Sequence, residues 1–211
     1  MGAAWPVSAA PTVPRLFPGE TIVVLGSGPS LDTADVELAS DAAVRLLAIS
    51  DSYKIATSAD VIFSPDARWW DWHQDAVDAR CSGQRALRYS LERTSYNGVV
   101  QLARGHKTAI ERDPRFLATG GHGGYSAINL AVHLGAARIV LLGYDMQPDA
   151  QGVNHFFGEH PNNSHVRYER WLPLYADLPR QLHALGVTIV NATRRTAITG
   201  IERVSLEEAL C

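Results

Sequence analysis

Two histidines in a short polar segment, His155 and His160, are the side chains of this sequence best suited to proton transfer. Imidazole titrates near neutral pH, so it can act as a general acid or base, and it can also stabilise the negative charge of a phosphate. The segment follows an apolar run that ends beside Asp145, and open α/β sheets bind ligands beyond the carboxyl ends of their strands. We therefore expect His160, His155 and Asp145 to be catalytic, against the plainer alternative that both histidines are structural.

A glycine-rich turn follows the apolar run 21–25 and is the sharpest binding feature of the sequence. Small residues between a strand and a helix let the backbone approach a phosphate, and free N–H groups at the positive helix end attract the anion. The turn matches neither a P-loop nor the G-x-G-x-x-G pattern. It predicts a nucleotide-binding site, or else a tight turn with a serine N-cap, at Gly26, Ser27, Gly28, Pro29 and Ser30.

A second glycine-rich loop, residues 120–124, precedes a helix predicted over 125–134. In an open parallel sheet it would lie at the same edge as the first turn, so the two loops could hold one ligand between them. We expect Gly123, Gly124 and Ser126 to contact the nucleotide. The alternative is a plain connection in which Ser126 only caps the helix.

Polar residues also follow the next two predicted strands, which adds Ser50, Asp51, Ser64 and Asp66 to the expected nucleotide site. Asp51 is placed to contact a ribose, and Asp66 or Asp145 could hold magnesium on a nucleotide, although such aspartates more often bond nearby backbone. Clustered His and Glu residues after position 154 match no zinc motif. No resident metal or cofactor is therefore expected.

The elements that must position these residues alternate between strand and helix, which predicts an α/β fold: a Rossmann-like, mostly parallel sheet with helices on both faces. We expect one domain over 20–211, preceded by an extended Pro/Ala-rich arm over 1–19. Residues 92–117 are expected to be a loop-rich excursion that covers the site.

The tryptophans Trp69, Trp70 and Trp72 are expected mainly in the core. Strands are predicted at 21–25, 44–49, 60–63, 84–91, 138–142 and 187–190, and helices at 31–43, 67–79, 125–134 and 164–185, the last split by its prolines.

Composition narrows the classes of function. The formal charge of −3 comes without a basic block, which argues against an extended nucleic acid as partner. No apolar run is long enough to span a bilayer, and two distant cysteines favour a reducing, cytoplasmic location. The expected partner is a small-molecule nucleotide donor, with the acceptor undetermined and a homo-oligomer left open.

Residues 23–31, 123–135 and 139–145 together resemble the bacterial sialyltransferases, the related archaeal pterin diphosphokinases and uncharacterised phage and prophage proteins. The resemblance to sialyltransferases implies that the first turn cradles a CMP-sugar donor and that His160 is the base, with His155 nearby. The chain has Ser50 and Ser64 where that family has asparagines, and it lacks the family's tyrosine pair near Gln147.

Three functions remain open from the sequence. The leading hypothesis is a metal-independent transferase that uses a sugar nucleotide. The diphosphokinase resemblance implies instead a magnesium-dependent pyrophosphokinase that uses ATP. The third hypothesis is a non-catalytic nucleotide-binding protein of the phage type.

Overall fold

The computed structural model describes residues 12–88, 96, 98–158 and 166–211. Within them, eight parallel strands form one sheet in the order β6-β5-β4-β3-β2-β1-β7-β8. A 3₁₀ turn at Ser50–Lys54 follows the second strand. The elements are β1 Thr21–Leu25, α1 Thr33–Asp41, β2 Arg45–Ile49, β3 Val61–Ser64, α2 Ala67–Arg80, β4 Gln84–Arg88, β5 Val99–Arg104, β6 Phe116–Leu117, α3 Gly123–Leu134, β7 Arg138–Leu142, α4 Tyr168–Ala176, α5 Leu178–His183, β8 Thr188–Asn191 and α6 Leu206–Leu210.

The central strands are buried on both faces, which explains their continuous apolar runs. In β1, Ile22 and Val24 pack into a core cluster with α3, α4 and α5. Val23 and Leu25 point the other way, into a second cluster with α1, α2 and α6. Helices therefore cover both faces, and the predicted single α/β domain with a parallel sheet is confirmed.

The expectation of a loop-rich excursion over residues 92–117 is wrong at residues 99–104 and 116–117, whereas residues 105–115 contain no helix or strand. The stretch 92–117 contains β5 and β6, which extend the parallel sheet beyond β4. The sequence signal is weak because β6 is only two residues long and β5 alternates buried with half-buried side chains. These strands lie at the sheet edge opposite β8.

The structure confirms the predicted split of the last long helix, and it confirms the predicted core position for Trp69 and Trp70 but not for Trp72. The helical stretch after residue 164 is split into α4 and α5, which meet at Asp177, with Pro179 in the first turn of α5. Proline is tolerated there because the first helical N–H groups have no partner within the helix. Trp69 and Trp70 are buried, whereas Trp72 is 49% exposed.

The part of the N-terminal arm that the structure describes packs on the domain. The Val13 N–H donates to the Pro114 carbonyl, and the Phe17 N–H donates to the Leu134 carbonyl at the end of α3. Val13 is also buried. Residues 1–11 lie outside the described residues.

The strand order places a crevice at the carboxyl ends of β1 and β7. The chain runs from β1 outward through β2 to β6 and then returns to the other side of β1 as β7. Connections that leave neighbouring strands in opposite directions open the sheet edge at this switch point, where doubly wound sheets bind ligands. Among the described helices, none is both long and apolar enough to cross a membrane.

Candidate functional site

A cavity of about 340 Å³ lies at this switch point, within the usual size range of small-molecule sites. Both predicted glycine-rich segments and the segment after β7 contribute to its wall. So does α4, which no sequence signal assigned to the site. The described lining residues are Gly26, Ser27, Gly28, Ile49, Ser50, Asp51, Pro65, His122, Gly123, Gly124, Gly143, Tyr144, Asp145, Met146, Asn154, His155, Phe157, Val166, Tyr168 and Trp171.

Most backbone N–H groups of the first turn donate hydrogen bonds to other groups of the protein. Gly26 donates to the Leu142 carbonyl and Gly28 to the Gly143 carbonyl, both at 2.8 Å. The Ser30 N–H donates to Asp145 Oδ1 at 3.0 Å. These N–H groups are not the free donors that the sequence predicted, because the end of β7 lies against the turn and accepts them.

The glycines of the first turn are required by the same close approach. A Cβ on Gly28 would lie 2.6 Å from Asp145 Cγ and 2.7 Å from the Gly143 oxygen. A Cβ on Gly26 would clash with the Gly143 oxygen in the same way. Gly26, Ser27 and Gly28 line the cavity, while Pro29 and Ser30 lie outside its described lining.

Helix α1 begins only at Thr33, beyond the turn, and its N-terminus is already capped. The Asp32 side chain accepts a hydrogen bond from the Asp35 N–H. Arg194 forms ion pairs with both Asp32 and Asp35. The positive end of α1 is therefore satisfied by the protein's own carboxylates.

The positive end that faces the cavity belongs to α3. Gly123 and Gly124 are its first residues, and both line the cavity. His122 is the N-cap, and its Nδ1 accepts a hydrogen bond from the Gly124 N–H at 3.2 Å. Ser126 is instead fully buried, and its hydroxyl donates to the Ala118 carbonyl at 2.8 Å. The structure thus places Ser126 in the protein interior, because the second turn of α3 faces the core.

Asp145 closes the site beneath the first turn and is almost fully buried. Its Oδ1 accepts the Ser30 N–H, and its Oδ2 has no hydrogen-bond partner among the described residues. Burial raises the pKa of the Asp145 carboxyl above its ordinary value, and the hydrogen bonds from Ser30 oppose that rise only in part. The neutral form of Asp145 is therefore favoured relative to an exposed aspartate.

Of the polar residues after β2 and β3, those after β2 line the cavity and those after β3 contact other parts of the protein. Ser50 and Asp51 line the cavity, and Asp51 accepts a hydrogen bond from Trp69 Nε1 at 3.0 Å and pairs with Lys54. Ser64 is buried and accepts a hydrogen bond from Ser50. Asp66 caps α2 by accepting the Arg68 N–H, as strand-end aspartates commonly do.

His155 is the predicted catalytic histidine that the described cavity contains. Its Nδ1 lies 3.3 Å from Ser27 Oγ, and its ring stacks on Phe157 with the centroids 5.0 Å apart. His160 lies outside the described residues, as do Glu159 and His165. Elsewhere in the chain, over the residues that are described, no three His, Cys, Asp or Glu side chains form a group able to hold a metal ion.

Sequence reasoning missed the aromatic wall of the cavity. Tyr168 and Trp171 lie three residues apart on α4, and this spacing reads equally well as ordinary helix packing. The Trp171 ring stands over His122, with the centroids 4.8 Å apart. The Tyr168 hydroxyl donates to Asn154 Oδ1 at 3.2 Å, and burial, with a smaller contribution from the Asp145 charge, raises the pKa of Tyr168 to about 12.

The sequence matches no protein-family model, and no curated protein sequence matches it significantly. The fold is similar to that of the sialyltransferase CstII from Campylobacter jejuni, whose structure was solved in complex with a substrate analogue, cytidine-5'-monophosphate. The two structures superpose with a TM-score of 0.56 at 9% sequence identity, over 88% of this chain and 85% of that one. The chain therefore shares its overall fold with a sialyltransferase.

Proposed function

We propose that this chain is a nucleotide-dependent transferase that moves a sugar from a sugar nucleotide to an acceptor hydroxyl, with a histidine as general base. The observation that carries the proposal is the position of the cavity. It lies at the switch point of the sheet, between the two glycine-rich segments, and it contains His155. The fold shared with a sialyltransferase supports the same chemistry.

The N-terminus of α3 is the best place in this cavity for the donor's phosphate. Helix N-termini favour anions through their N–H groups and their dipole. Gly123 and Gly124 present this end to the cavity without side chains. Its cap is the His122 imidazole, which brings no negative charge, whereas the cap of α1 is a carboxylate. In this proposal the first turn, at Gly26, Ser27 and Gly28, forms the opposite wall.

The base in this proposal comes from the segment that holds His155 and His160. The imidazole takes the proton of the acceptor hydroxyl while that oxygen bonds to the anomeric carbon. The bond from that carbon to the donor's phosphate oxygen breaks, and its electron pair leaves with the nucleotide. The resemblance assigns this step to His160, whereas His155 is the histidine of this segment that lies in the described cavity wall.

The test is a ligand screen followed by turnover assays. CMP, UDP, GDP and ATP are compared by thermal shift, because a ligand present at 100 times its Kd stabilises the folded state by about 2.7 kcal/mol. The matching sugar nucleotides are then assayed for donor hydrolysis. We expect His160→Ala to lower turnover by roughly 100-fold or more, as loss of a general base does, while leaving the nucleotide-induced shift in place.

His155→Ala is the matched variant, and the histidine whose removal costs more turnover is the base. His183→Ala serves as a matched control, because His183 is exposed on α5 and lies outside the described cavity lining. Wild-type turnover in both histidine variants would refute the histidine base. Nucleotide binding without turnover of any donor would support a non-catalytic binding protein instead.

A magnesium-dependent pyrophosphokinase is the second candidate, favoured by one observation. Two carboxylates, Asp51 and Asp145, line the cavity, and Asp145 Oδ2 is buried without a partner among the described residues. A divalent ion carried by ATP would supply the positive charge that this Asp145 oxygen favours, whereas the Asp51 carboxylate already pairs with Lys54. Loss of turnover in EDTA, with recovery on added magnesium, would favour this candidate over the glycosyl transfer.

A further inference from the structure

We infer that Ser27 is a positioning residue that orients His155 for proton transfer. This role deepens the proposed function and rests on it, because it gives His155 an acid–base task. The contact is direct: Ser27 Oγ and His155 Nδ1 lie 3.3 Å apart, although 128 positions separate the two residues in sequence.

The first turn holds Ser27 in a fixed place. Hydrogen bonds from Gly26 and Gly28 to the carbonyls at the end of β7 anchor the backbone on both sides of it. The buried Ser52 hydroxyl donates to the Gly26 carbonyl at 2.5 Å. The Phe156 N–H donates to the Ser27 carbonyl at 3.2 Å, which joins the turn to the residue after His155.

Two contacts among the described residues act on the orientation of the imidazole ring. Stacking on Phe157, with an interplanar angle of 1°, sets the plane of the His155 ring. The contact with the Ser27 hydroxyl turns the Nδ1 edge of the His155 ring towards the first turn. A serine hydroxyl can donate to an imidazole nitrogen or accept from it, so the contact fits either tautomer. The inferred role requires that Nδ1–H donates to Ser27 Oγ, because this tautomer makes Nε2 the proton-accepting nitrogen of neutral His155.

The second histidine of the cavity is held in the opposite tautomer. His122 Nδ1 accepts the Gly124 N–H, so the proton of the neutral ring is on Nε2, which lies 3.3 Å from the Tyr175 hydroxyl. His122 is therefore fixed as a helix cap. The ring signals of His122 and His155 can therefore be compared within the same spectrum.

The experiment is long-range ¹H–¹⁵N spectroscopy of the full chain labelled in its histidine rings, at a pH where both rings are neutral. His155→Gln and His122→Asn assign the two sets of signals. We expect the Nδ1–H form for His155 and the Nε2–H form for His122. Ser27→Ala should change only the His155 signals, and Ser27→Thr, which keeps the hydroxyl, should preserve them.

Turnover gives a second readout. Ser27→Ala should lower kcat by about 10-fold, less than removal of a general base, with recovery of kcat in Ser27→Thr. An Nε2–H form of His155 in the wild type, or His155 signals unaffected by Ser27→Ala, would overturn the inference. If no donor is turned over, the proposed transferase fails, whereas the ring spectra still decide the role of Ser27.

Discussion

The two glycine-rich segments of the cavity look alike in sequence, but they differ in what they contact. In the first, Gly26 and Gly28 lie against the end of β7, and their N–H groups bond to its carbonyls. In the second, Gly123 and Gly124 open α3 towards the cavity, with His122 as cap. The first segment thus joins two strands, and the second presents a helix end to the cavity.

This difference changes how a glycine-rich turn after a first strand should be interpreted. Glycine permits close approach of any group, and here the approaching group is the protein's own Gly143–Asp145 segment. Asp145, a buried acid, accepts the N–H of Ser30 that the sequence assigned to a phosphate. What the first turn offers the cavity is the Ser27 side chain, which contacts His155.

The largest effect is expected from Gly28→Ala. The added Cβ would overlap Asp145 and the Gly143 carbonyl, and overpacking of this kind costs about 3 kcal/mol. Gly123→Ala is the matched control, since its Cβ would lie 3.1 Å from the Pro65 ring and 3.5 Å from Ile49 Cγ2, and we expect a change within about 1 kcal/mol. Urea unfolding measures both, and equal stabilities would contradict the contrast between the two segments.

His122→Ala is expected to cost about 2 kcal/mol, from the lost helix cap and from the Tyr175 hydroxyl left without its histidine. His122→Asn should recover the capping part, because asparagine is a favoured N-cap residue. Urea unfolding measures the free energy of unfolding of both variants. If asparagine recovers nothing, His122 does not cap α3 as described.

The smallest effect is a pH dependence in Asp145→Asn. The folded pKa of Asp145 is raised above its ordinary value of 3.8 by burial, so its stabilising contribution is complete below the unfolded pKa and is lost as the pH rises through the folded pKa. Asparagine stays neutral and keeps an acceptor for the Ser30 N–H. Stability relative to wild type should therefore move in favour of Asp145→Asn as the pH rises above 3.8. Urea unfolding across that range measures the trend, and a constant difference would argue against a buried, neutral-favouring carboxyl.

The sequence by itself determined the fold class and the approximate position of the site. Apolar β-branched runs such as β1 and β7, each closed by glycine and polar residues, are local signals of buried parallel strands. Because such strands end at a common sheet edge, the residues after them were expected to meet, and Gly26, Asp51, Gly123 and His155 do line one cavity. The short edge strands β5 and β6 gave too weak a periodic signal to be found.

Only the tertiary structure decided what each of these residues faces. Ser30 and Asp145 are 115 positions apart, and no local pattern shows that one uses the N–H of the other. The same holds for Ser126, which long-range packing places in the core, and for Tyr168 and Trp171, which the placement of α4 brings to the cavity. Local propensity specifies elements, whereas side-chain environment depends on partners that only the folded chain brings together.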